Sequence, residues 1–212
     1  MNTTFLASAL VLMTGIFWGI YWFPVRALAE LGLDGAWGTG AITMAAMIFL
    51  LPFAGAGRAE LRGADPVGVV SIALGGGAFA LYSIGFLYGK VALVVLLWFF
   101  SPVWSVLIAR YVLRWSVPRL RLVAIAVGLA GLFIMLGGEG DVPVPRDLGE
   151  WMAFVGGLVW AWATAGMRLK SEVPPGPAAF LFAFGATVTA LGFAPVLEPL
   201  PRIARDDLVA AA

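Results

Sequence analysis

The chain of 212 residues contains no cysteine and no histidine, and only 12% of it is charged. Without cysteine there is no disulfide, no thiol nucleophile and no thiolate metal ligand. Without histidine the imidazole base and the commonest zinc donor are gone as well. No catalytic residue, metal site or cofactor is expected. Net charge is +1, and no basic block of the kind that grips nucleic acid is present. A soluble domain carries roughly 25% charged residues, about twice the share found here, so this chain cannot clothe a core in a water-facing surface. What it has in excess is apolar length, with 62% hydrophobic residues. The charges fall in short clusters separated by stretches close to the ~20 residues that cross a bilayer. The sequence describes an all-α integral membrane protein whose solvent is lipid.

Seven transmembrane helices can be drawn, over Thr4–Val25, Ala36–Phe53, Val67–Gly89, Val91–Ala109, Leu122–Gly138, Leu148–Met167 and Ala178–Leu197. In lipid the backbone must satisfy its own hydrogen bonds, so these stretches are helices rather than open strands. Glycine and proline punctuate the short connections, most densely at Pro174-Pro175-Gly176-Pro177. Spans three and four meet at Gly89-Lys90, which predicts a tight antiparallel pair. Ala27 to Ala29 mimics a signal-peptidase site, but no Lys or Arg precedes the first apolar run, and a full span fits better. Placing the N-terminus in the cytoplasm puts Arg58, Arg62, Arg110, Arg114, Arg119, Arg121, Arg168 and Lys170 inside, with Arg26, Lys90, Arg146, Arg202 and Arg205 outside. Eight against five favours that orientation, in what would be a bacterial inner membrane.

Gly15, Trp18, Arg26 and Glu30 recur 142 residues later as Gly157, Trp160, Arg168 and Glu172. The same offset maps span one onto span six and span two onto span seven. Five spans separate equivalent helices, and an odd number reverses membrane orientation, so the two units are inverted relative to each other. The expected division is a first five-helix repeat over residues 1–141 and a partial second repeat over 142–212. That second repeat holds two helices and the approach to a third, so three further spans are expected to be missing. The competing reading is a seven-span protein in which the repeat is coincidence.

Certain short motifs recur in one known family. Span one reads Gly15-Ile-Phe-Trp18-Gly19, followed by Pro24 and Arg26. Span four carries Ser101-Pro102, span five Val127-Gly128 and Gly131, and span six Trp160-Ala161 and Arg168. In their order and spacing these resemble the drug/metabolite transporter superfamily, in its EamA-type branch. The resemblance implies a 5+5 plan of inverted repeats and carriage of small metabolites, often outward. Two features of the family are absent. Span two lacks its arginine, reading Gly40-Ala-Ile-Thr43-Met44, and the end of span four lacks its acidic residue, with Arg110, Leu113 and Arg114 there instead.

Trp98, Ser101 and Ser105 are three and four residues apart, so they share a face of span four. With Tyr82 from span three, and Trp18 and Trp160 from the repeated helices, they could wall a cavity. Aromatic walls with a few hydroxyls suit a flat or amphipathic organic solute. The plainer reading is aromatic packing between helices or against lipid. Pro102 and Pro24 are candidate kinks, and the Gly75-Gly76-Gly77 run is either a hinge in span three or a site of close helix approach. The pairs Gly15/Gly19 and Gly85/Gly89 invite the same close approach. Trp37, Trp115 and Trp151 fall at span ends, where an interfacial belt explains them. Glu150, Lys90, Arg26 and Arg168 are expected to snorkel at the interfaces.

No Asp, Glu, Lys or Arg lies near the centre of any span. The inverted repeat and the family resemblance together imply a transporter moving a small organic metabolite, amino-acid-like or amphipathic and aromatic, outward by alternating access, with no internal carboxylate of the kind that proton-coupled carriers commonly use. Its partners would be that solute and membrane lipid, with no nucleic acid; a homodimer is left open. A truncated remnant or scaffold is the alternative. An intramembrane enzyme is disfavoured because Ser101 and Ser105 have no evident base.

Overall fold

The computed structural model describes residues 3–20, 23, 27–28, 30, 32–33, 35–137 and 144–201, and every regular element among them is helical. In chain order these are α1 (Thr3–Ile20), α2 (Gly35–Ala56), α3 (Arg58–Gly63), α4 (Pro66–Tyr88), α5 (Val91–Trp98), α6 (Ser101–Leu107), α7 (Arg119–Gly137), α8 (Leu148–Lys170) and α9 (Pro175–Leu197). A π-turn over Ile108–Val112 prolongs α6. Among the described residues, α2, α4, the joined stretch Val91–Val112, α8 and α9 are long and apolar enough to cross a membrane. The two remaining expected spans are occupied by α1, with its shorter apolar stretch Phe5–Phe17, and by the 19-residue α7.

Local chemistry fixes the helix ends. Asp65 caps α4 by accepting from the Val67 amide at 2.9 Å, and Pro66 follows at the first helical position, where its missing N–H costs nothing. α9 begins in the proline cluster at Pro175. Span four is broken as Pro102 requires. α5 ends at Trp98, Phe99 and Phe100 form a turn, and α6 restarts at Ser101. Pro52 and Pro195 lie inside α2 and α9, each near the C-terminal end, without stopping the helix.

The centre of the body is α4, with α8 packed on one side and α9 on the other; α2 lies against α9, while α5 and α6 lie against α8. Small residues permit this, because helix backbones in lipid approach only where side chains are absent. A Cβ on Gly85 would sit 2.8 Å from the Gly149 carbonyl, and one on Gly68 2.7 Å from the Lys170 carbonyl. On the other side, a Cβ on Gly76 would run into the Phe182 carbonyl, and one on Gly185 into Ala73. The expected tight pair of spans three and four is therefore not the dominant contact. The turn at Gly89-Lys90 only joins α4 to α5, while glycines on facing helices draw α4 to α8. The run Gly75-Gly76-Gly77 is buried inside an unbroken α4 and lies at the contact with α9. Gly85 and Gly89 both pack closely on α8. By contrast, a Cβ on Gly15 would meet nothing within 4 Å.

The helices alternate in direction, and this sorts the charges. Gly57 of the α2–α3 junction touches Pro177, Gly68 touches Lys170, and Arg121 and Arg168 line one small pocket. All eight basic residues expected on one side, from Arg58 to Lys170, thus belong to one end of the bundle. Lys170 pairs there with Asp65 at 3.3 Å. Asp65 lies just outside the span, and its carboxyl is held below the usual range by the Val67 amide, with Lys170 adding to the effect. At the opposite end Gly35 approaches Glu198, whose carboxylate accepts a hydrogen bond from the Tyr88 hydroxyl. α2 and α9, which the 142-residue offset equates, pack side by side in opposite directions, with Gly40 on Leu191 and Gly57 on Pro177.

Two interfacial expectations need correcting. Glu150 does not snorkel: it is 1% exposed, and its Oε2 accepts from the amides of Arg146 at 2.7 Å and Asp147 at 3.3 Å. The first turn of α8 leaves those donors without helical partners, and the carboxylate supplies one. Glu150→Ala strands both amides beside the close α4 contact, so it is expected to cost about 1–3 kcal/mol. Glu150→Gln, which keeps an acceptor oxygen, is expected to cost less; thermal unfolding in detergent separates the two. Trp37 is not a belt residue either. It packs against the cluster of Ala36, Ile84 and Ala194 beside Tyr88 and Leu197, with its indole N–H buried and unpartnered. Trp115 and Trp151 are exposed, as a belt requires.

Candidate functional site

Three of the aromatic residues singled out in the sequence come together. The rings of Tyr82 on α4 and Trp98 on α5 are 4.5 Å apart between centroids, and those of Trp98 and Trp160 on α8 are 5.9 Å apart. The row continues at both ends. Phe86 lies edge-on to Tyr82 at 4.7 Å, while Phe182 of α9 lies edge-on to Trp160 at 6.3 Å and 5.9 Å from Phe79. Four helices thus contribute to one continuous line of rings. Offset and edge-on geometries of this kind are worth about 0.5–1.5 kcal/mol per pair beyond burial. All six rings are half-buried, so each keeps some surface that a solute could meet.

The backbone places them. Gly156 and Gly157 of α8 lie under Trp98: a Cβ on Gly157 would be 3.1 Å from the Trp98 carbonyl, and one on Gly156 3.2 Å from the Trp98 ring. The break at Phe99-Phe100 ends α5 just there, turning Trp98 inward to α8 while Phe99 stays 53% exposed. A second aromatic group forms further along α8, where Trp104 and Trp151 lie edge-on to Phe154 at 5.5 and 5.9 Å. The Trp104 indole N–H is buried there without a partner.

The hydroxyls are less available than the sequence suggests. Ser105 donates to the Ser101 carbonyl at 2.9 Å, and Thr164 to that of Trp160 at 2.9 Å. In an apolar interior a hydroxyl bonds the preceding turn in this way, which leaves its oxygen as an acceptor only. Ser105 lines the small polar pocket with Arg121, Thr164 and Arg168, so Trp98 and Ser105 reach separate places along α8. Ser101 is half-buried between them. The side chain of Trp18, and Pro24 entirely, lie outside the described residues. Among the described residues no group of three or more acidic side chains could hold a metal.

Sequence reasoning missed Phe79, Phe86 and Phe182 in the row. Phenylalanine is frequent here, at 15 residues, so no single one stands out. It also missed the buried Glu150, although Asp147 and Glu150 at capping-box spacing ahead of an apolar run were a usable signal.

A family model described as the EamA-like transporter family matches residues 5–137. No curated protein and no solved structure matched the chain. The matched region takes in α1 to α7, with Tyr82, Trp98, Ser101 and Ser105, and ends before α8 and Trp160. It extends over more than half of the 212 residues, and it agrees with a membrane protein built of apolar helices. This chain belongs to the EamA-like transporter family.

Proposed function

We propose that the protein carries a small organic metabolite, amino-acid-like or amphipathic and aromatic, out of the cell by alternating access. In this reading the solute passes along the faces of Tyr82, Trp98 and Trp160, with Ser101 and Ser105 toward the basic end and Trp18 contributed by the repeated first helix. The supporting observation is the line of rings from Phe86 to Phe79, which joins α4 and α5 to α8 and α9 and contains no charged group. Rings offer dispersion and a π-face to a flat or cationic organic group without the desolvation cost of a buried charge. The two halves, 1–141 and 142–212, would rock about this line, with the N-terminus in the cytoplasm.

Efflux from proteoliposomes loaded with a panel of amino acids and aromatic amphiphiles tests this. Loss of at least one solute faster than from protein-free vesicles is expected. Equal rates for every solute, from protein shown to be folded, would instead favour a non-transporting scaffold.

A further inference from the structure

We propose that the basic end of the molecule holds an anionic phospholipid, with one acyl chain in the groove between α5–α6 and α7 and its phosphate between Arg121 and Arg168. The groove has a volume of about 590 Å³ and is lined by Phe99, Pro102, Ala124, Ile125, Gly128 and Gly131 among others, with Arg121 as its charged member. Its origin is local. Pro102 lines the groove just after the turn that interrupts span four, and two glycines on α7 withhold the side chains that would fill the gap. A Cβ on either Gly128 or Gly131 would meet nothing within 4 Å. The trough lies on the outer surface of the bundle, since Phe99 faces it while Trp98, one residue earlier, turns into the aromatic row. Val127 in its lining and Val123 on the same helix are exposed, as lipid-facing residues of a span should be. In a bilayer such an apolar trough is filled by hydrocarbon.

Arg121 joins this trough to a second space. A pocket of about 70 Å³ is lined by Arg121 from α7, Arg168 and Thr164 from α8, and Ser105 from α6. The ion pair described at this end, Lys170 with Asp65, takes neither arginine. Ser105 and Thr164 already donate their hydroxyl protons to backbone carbonyls, so the two guanidiniums are the charged donors among the lining residues, with the Trp115 indole as a neutral one. Planar guanidinium forks match phosphate oxygens, and two of them lining one pocket from α7 and α8 set the place of a headgroup. The chain crosses this region through a π-turn at Ile108–Val112 and a left-handed Arg114, at φ 56. Irregularities of both kinds gather at binding sites. An apolar trough continuous with a dibasic pocket fits an anionic amphiphile, and an anionic lipid is the one a membrane supplies in excess.

The test is lipid retention by the full chain in detergent, measured by native mass spectrometry with phosphatidylglycerol and phosphatidylcholine of identical acyl chains. Phosphatidylglycerol is expected to be held about 10-fold better, and Arg121→Gln or Arg168→Gln to remove that preference. Arg121→Lys should keep part of it. Gly128→Leu, which adds a side chain at a trough-lining position where a Cβ would meet nothing within 4 Å, should lower retention while leaving unfolding in lipid-free detergent unchanged. Inorganic phosphate in millimolar excess should not displace the lipid. Equal retention of the two lipids would overturn the proposal, as would a preference that survives both glutamine variants or retention that Gly128→Leu leaves intact. Displacement by inorganic phosphate would overturn it too, and would mark the dibasic pocket as a site for a free anion. None of these readouts involves solute flux, so they stand apart from the transport reading.

Discussion

Gly76→Leu is expected to prevent the protein from folding to a stable state. At this position α4 and α9 are in backbone contact: any Cβ would run into the Phe182 carbonyl and come within 2.8 Å of the Ala186 amide. Flexible side chains can yield to an added methyl, but helix backbones cannot without separating the helices. Overpacking a core costs about 1–3 kcal/mol where side chains absorb it. Here the cost should exceed about 3 kcal/mol, a large part of the total stability of a typical domain. The structure offers a matched control in Gly15→Ala on α1, where the new methyl would meet nothing. That substitution should be neutral or stabilising, by at most about 1 kcal/mol from helix propensity. Size-exclusion profiles and thermal unfolding of the two variants in one detergent decide between this account and one in which the glycine run is a soft hinge. A hinge would tolerate Gly76→Leu in the folded state and lose only motion.

The second large effect is expected at Trp98. Its ring lies between Tyr82 and Trp160, and its carbonyl lies against Gly157, so it links three helices of the aromatic row. Trp98→Ala should reduce solute efflux by about 10-fold or more, the size expected when two aromatic contacts of about 0.5–1.5 kcal/mol each are lost along with the positioning they give. The substitution also leaves a cavity, which by itself costs about 3–5 kcal/mol for a buried tryptophan and less for a half-buried one. Trp98→Phe therefore belongs beside it, because it restores a ring and most of the packing. Efflux should recover in large part with phenylalanine and not with leucine. Trp151→Ala removes a ring of equal size that is 50% exposed at the start of α8, and it should leave flux near wild type. Equal losses in Trp98→Ala and Trp151→Ala would mean that the row is packing and nothing more.

How far the sequence speaks for itself differs between layers of the structure. Span limits were legible because apolar length and charged interruptions are properties of single segments. The opposite directions of α2 and α9 follow from the odd number of spans between them, and the meeting of Tyr82, Trp98 and Trp160 was suggested by their positions on helices. Neighbour relations were harder to read. The short link at Gly89-Lys90 suggested that α4 and α5 are principal partners, yet close approach is decided by which faces lack side chains. Those faces are Gly68, Gly85 and Gly149 on one seam, and Gly76 and Gly185 on the other. Glycine spacing alone did not separate Gly85/Gly89, which packs, from Gly15, which does not. Glu150 looked interfacial by position and proved buried, because two backbone amides outweigh the cost of placing its carboxylate there. The trough along α7 had no sequence signature, since its lining comes from residues of two separate spans that only the fold brings together.

The absence of cysteine supplies the most direct measurement. Ser101→Cys places a single thiol at the start of α6, three residues after Trp98, in a chain that otherwise has none, and its reaction with a small charged methanethiosulfonate reagent can be followed from either side of sealed proteoliposomes. Val188→Cys, 55% exposed on α9, serves as a lipid-facing control that such a reagent should not reach. Alternating access along this row predicts that the Ser101→Cys thiol is modified from both sides and that a transported solute slows the reaction. A thiol that stays unreactive from both sides, or one whose reaction no solute slows, would contradict the account.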